Sequence, residues 1–233
     1  MEKNDLPKTT DRRRFLGSLA TGAAAIGLTG LSSPGDLHAG EISSLTNADD
    51  PEEMFKKIKG KRRIVFDVPQ PHEIFPFAWP RVFLLTNEAT GSPDKDCGVV
   101  VVLRHDAIPY AFEDRLWEKY KFGEMFKAND PETKTAALRN PFWKPKPGAF
   151  NVPGIGEVAI GINDLQKSGV LFCVCGAAMT VYSAVAASSM GKNAADVRKD
   201  WETGLLPDIT VVPSGVWALG RAQEKGCGYI FAG

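Results

Sequence analysis

Gly98-Val99-Val100-Val101-Val102-Leu103-Arg104 decides the fold class. Four consecutive valines are stiff at χ1 and crowd a helix, while they pack well on a pleated surface. An apolar run with no polar alternation reads as a strand buried on both faces, which is the habit of parallel sheets. Ile64-Val65-Phe66-Asp67-Val68 and Val170-Leu171-Phe172-Cys173-Val174-Cys175 have the same character, and Ile209-Thr210-Val211-Val212 and Gly228-Tyr229-Ile230-Phe231 complete a set of about five strands.

Segments of helical pattern separate them. Trp79–Asn87, Ala111–Phe126, Val158–Lys167, Ala177–Met190, Ala194–Trp201 and Val216–Glu224 fill the gaps, with Gly169 placed as a helix-terminating glycine. Strands alternating with helices predict a three-layer α/β/α domain with a mostly parallel sheet. Residues 129–153 carry five prolines and read as a long excursion instead of a packed element.

In such a sheet, ligands gather at the carboxyl ends of the strands. Arg104-His105-Asp106, Cys175-Gly176 and Pro213-Ser214-Gly215 meet there. A thiol between a strand end and a helix start meets unpaired N–H groups and the positive end of the helix dipole, both of which stabilise thiolate. Cys175 is therefore the candidate nucleophile, with Arg104 adding charge and His105 moving a proton. Gly176, Ser214 and Gly215 are the candidate ligand-binding positions. The residues alone leave Cys175 open between a reactive thiol and a small buried hydrophobe, and His105 open between a site residue and a strand-end residue.

Outside that site, Cys173, Cys97 and Cys227 read as structural, and Trp117, Tyr120, Phe142 and Trp143 as core or subunit contacts. The cysteines, with His72 and His105, lack the paired spacing of a zinc site, so no metal is expected. No motif names a cofactor. Charge is balanced, with 28 Lys and Arg against 28 Asp and Glu, which leaves no basic footprint for nucleic acid.

The N-terminus has a different composition. Asp11-Arg12-Arg13-Arg14-Phe15-Leu16 precedes an uncharged stretch to Gly35 that is rich in Ala, Gly, Ser and Thr. This order resembles a twin-arginine (Tat) signal peptide over residues 1–39, with cleavage expected after Ala39. The resemblance implies recognition by the Tat translocase, a periplasmic or otherwise exported product and no stable membrane span after removal. Residues 40–60 read as a linker, and 61–233 as the domain, with an insertion at about 106–155.

Three segments in the C-terminal third carry a further resemblance. Leu165 to Gly176, Leu206 to Val216 and Gln223 to Ile230 are similar, in order and in their Cys-Gly and Val-Pro-Ser-Gly-Val turns, to the DsrE/DsrF family of intracellular sulfur-oxidation proteins. That resemblance implies a homo-oligomer in which a cysteine, here Cys175, accepts sulfur as a persulfide from a donor protein and passes it to an acceptor. The alternative on the same fold is a non-catalytic small-molecule-binding or assembly module.

Overall fold

The computed structural model describes Asp50–Gly233 apart from Pro153. The twin-arginine signal expected over residues 1–39 and the first part of the linker lie outside the described residues. The chain runs α1 (Glu53–Lys56), β1 (Arg62–Val68), α2 (Phe75–Ala89) and β2 (Cys97–Leu103), then a 3₁₀ helix (His105–Ala111), α3 (Asp114–Tyr120) and α4 (Phe122–Met125). A small hairpin of β3 (Asn151–Val152) and β4 (Gly156–Glu157) precedes α5 (Ile162–Lys167), β5 (Leu171–Cys175) and α6 (Gly176–Met190). It closes with α7 (Ala194–Thr203), β6 (Ile209–Val212), α8 (Gly215–Glu224) and β7 (Gly228–Phe231).

Five strands form one sheet in the order β6-β5-β2-β1-β7. Every pair in it is parallel, so the expected three-layer α/β/α architecture is present. Side-chain alternation divides the sheet between two cores. Ile64, Phe66, Val99, Val101, Phe172 and Val174 face the larger one, which α2, α6 and α7 cover. Val65, Val100, Val102, Cys173 and Val212 face the smaller one beneath α1 and α8. The path β1-β2-β5-β6 steps in one direction, and the return to β7 reverses it. Right-handed crossovers then put α2, α6 and α7 on one face and α8 on the other.

Several expected elements differ in extent. Helix α2 starts four residues earlier than the pattern suggested, because Pro76 falls in the first turn, where its missing N–H is no loss. The expected 111–126 helix breaks at Lys121, which adopts a left-handed φ of 51° between α3 and α4. Residues 158–161 stay outside α5. Residues 129–153 have little regular structure yet are packed: Asn140 and Phe142 are fully buried, and Asn140 donates to the carbonyls of Tyr110 and Phe112 at 2.9 Å each. Met54, Phe55 and Ile58 bury against the sheet, so the packed unit reaches back into the segment read as linker.

Candidate functional site

The sheet order makes the chain diverge at the carboxyl ends of β5 and β6. Helix α6 leaves β5 toward the larger core, and α8 leaves β6 toward the smaller one, which is the topological switch at which open α/β sheets bind ligands. The two turns are tied where Ala177 N donates to Pro213 O at 3.1 Å.

Cys175 is the N-cap of α6. Its Sγ accepts from Ala178 N at 3.3 Å, and the side chain is 7% exposed. Alternation alone would put Cys173 and Cys175 on one face, being two residues apart. Cys175 instead packs into the larger core, because its backbone is already turning into the helix. All four cysteines are unpaired thiols. Burial raises the pKa of Cys173, and likewise those of Cys97 and Cys227, so those three are held in the inert protonated form.

Arg104 follows β2 directly. The register Leu103↔Val174 makes Arg104 and Cys175 the next neighbours across the strand ends. Its guanidinium grips Asp67 of β1 side-on, Nε to Oδ1 at 2.6 Å and Nη2 to Oδ2 at 2.9 Å. Nη1 takes no part in that fork. Tyr229 of β7 also donates to Asp67 Oδ2, at 2.7 Å. Asp67 is only 2% exposed, so this carboxylate is a buried anchor that fixes the arginine beside the cysteine. The Asp67 hydrogen bond, reinforced by nearby negative groups that include Cys175, raises the pKa of Arg104. Gly215 completes the close packing, since a Cβ there would fall 2.6 Å from that of Arg104.

His105 points elsewhere. It adopts a left-handed φ of 48°, and its ring lies beside Asp106 (Nδ1–Oδ1 3.2 Å) and Tyr182 of α6 (Nε2–Oη 3.5 Å). Tyr182 in turn donates to Asp106, and burial followed by that bond raises its pKa. The structure thus separates Arg104 and His105 into two neighbouring clusters, one tied to Asp67 and one to Tyr182. Ser214 caps α8, its Oγ accepting from Trp217 N at 3.2 Å, and the Gly176 carbonyl accepts from Arg198 at 3.0 Å. Both positions lie at the carboxyl ends of β5 and β6 with their polar atoms already engaged, Ser214 as a helix cap and Gly176 with Arg198.

Asp67, Tyr229 and Tyr182 were missed in the sequence reading, which had Asp106 only as part of the Arg104-His105-Asp106 connection. One signal was available for Asp67, a single carboxylate inside an otherwise apolar strand. Among the described residues, no group of three or more His, Cys, Asp or Glu side chains is arranged to hold a metal ion, and no helix is long and apolar enough to cross a membrane.

The chain matches no protein-family model and no curated protein. Among solved structures, it is similar to a protein of unknown function from Methanobacterium thermoautotrophicum, at 16% identity and a TM-score of 0.39, over 73% of this chain and 99% of the other.

Proposed function

We propose that this protein is an exported sulfur carrier of the DsrE/DsrF type, delivered by the Tat translocase, in which Cys175 takes up sulfur as a persulfide. The observation that carries this reading is the placement of Cys175: its sulfur accepts a helix N-terminal amide at 3.3 Å and sits beside an arginine fixed by a buried carboxylate. A helix N-terminus and a neighbouring guanidinium are the surroundings in which reactive cysteines are found. The thiolate attacks the outer sulfur of an organic persulfide R–S–SH. A new S–S bond forms on Cys175, the donor S–S bond breaks, and R–S⁻ leaves, so no outside oxidant is needed.

Incubation of the purified protein with an organic persulfide, followed by mass analysis, tests this reading. The expected product carries one extra sulfur atom on Cys175; Cys173→Ser still gains it and Cys175→Ser does not. Absence of any gain on Cys175 would overturn it. A second reading, a non-catalytic binding or assembly module, is favoured by the 7% exposure of Cys175. In that case Cys175→Ala leaves ligand binding intact.

A further inference from the structure

Helix α2 buries Phe77, Pro80 and Leu84 against the sheet and carries a second apolar side, on which Trp79, Val82 and Leu85 are exposed. Ala78, Val82, Leu85 and Ala89, three or four residues apart, form one stripe along that side. Val152 and Ile155 of the small hairpin, with Ile160 after it, make the opposite wall of an open groove of about 540 Å³, a size that suits a small ligand. Among the described residues that line it, the hydroxyl and the charge come from Thr86 and Arg81 alone. Thr86 Oγ1 is spent on the carbonyl of Val82, at 2.7 Å. Arg81 donates from Nε to Ala159 O at 2.7 Å and from Nη1 to Ser168 Oγ at 3.0 Å, both neutral acceptors, and its Nη2 has no partner among the described residues. Burial lowers the Arg81 pKa, and the more distant charges of Asp94 and Asp164 offset this only in part. Asp164 is itself held by Lys167 and Asn163. A half-buried cation thus stands at the edge of an apolar groove without a paired counter-ion.

We propose that the groove between α2 and the β3–β4 hairpin binds a medium-chain fatty acid, with the carboxylate on Arg81 and the hydrocarbon chain along α2. The charge selects the head group. A guanidinium with a free N–H edge is the side chain best suited to a carboxylate, and an anion there supplies the missing counter-ion. The walls select the tail, because they offer apolar contact and no further hydrogen-bonding group. A docked peptide segment would bring backbone N–H and C=O groups that these walls cannot satisfy. Length agrees as well: at 1.5 Å per residue, Arg81 stands about 12 Å along the helix from Ala89 and about 10 Å from Ile74. Neither Cys175 nor Arg104 lines the groove, so this site does not depend on the sulfur chemistry.

Calorimetric titration of the full chain with decanoate, below its micellar concentration, and with decanol as the neutral counterpart tests the site. Decanoate is expected to bind saturably, one per chain, and about tenfold or more tightly than decanol. In Arg81→Gln the preference for decanoate is lost while decanol still binds, which also shows that the variant is folded. Ile155→Asp, in the hairpin wall, weakens both ligands about tenfold or more. The comparison of the two ligands on the unaltered chain needs no variant. Absence of saturable decanoate binding, equal affinity for decanol as expected of a purely apolar docking surface, or a decanoate preference that survives Arg81→Gln would each overturn the proposal.

Discussion

Asp67 is the residue on which the geometry around Cys175 turns. A carboxylate 2% exposed is tolerable only when its oxygens are satisfied, and here Arg104 takes both while Tyr229 adds a third bond. Removing one partner of such a pair leaves the other charge uncompensated. Asp67→Ala is therefore expected to lower unfolding free energy by about 3 kcal/mol in urea titration and to slow alkylation of Cys175, because Arg104 is no longer held beside it. Asp67→Glu restores the charge and is expected to recover part of the alkylation rate; a rate identical in wild type and Asp67→Ala would separate Arg104 from the cysteine chemistry. The sequence made Arg104 and Cys175 legible by their place at strand ends. It did not show that Arg104 turns to Asp67 and His105 to Tyr182, since that depends on which strands adjoin and on the left-handed backbone at His105.

At the scale of elements, the strands were the most legible part, because β-branched runs bury on both faces wherever they fall in the order. Helix extents were less so. A proline looks like a boundary in the sequence, yet Pro76 and Pro80 both lie inside α2. The proline-rich stretch up to Pro153 packs through Asn140 and Phe142, whose partners include Tyr110 and Phe77, about thirty and more than sixty residues away, beyond the reach of local pattern. Helix α7 is fastened to α3 by Asp200, which accepts from Arg115, Lys119 and Tyr120. Burial works against the ionised form, but these hydrogen bonds prevail and lower the Asp200 pKa to about 2. A carboxyl depressed in the folded state contributes stability above its unfolded value, near 3.9, and loses it as pH falls toward 2. Asp200→Asn should thus be less stable than wild type by roughly 1 kcal/mol at neutral pH, after allowance for solvent screening, with the gap closing by about pH 2. A gap that persists at acid pH would mean that the carboxylate charge is not what fastens the two helices.

For the whole molecule, the sheet class was legible and its order was not. Local sequence says that a strand is buried, but not that the last strand returns to lie beside the first, and this return is what sends α6 and α8 to opposite faces at Cys175. The same return makes β7, the strand that carries Tyr229, the edge of the sheet next to β1. The central claim is that one of four thiols is set apart by this architecture. Its most direct test is the rate at which each cysteine of the native protein is alkylated at pH 7, resolved by peptide mass analysis. Cys175 is expected to react at least about tenfold faster than Cys97, Cys173 and Cys227 in the native state. If Cys175 stays unreacted until the protein is denatured, as a buried structural thiol does, the sulfur-carrier account is wrong.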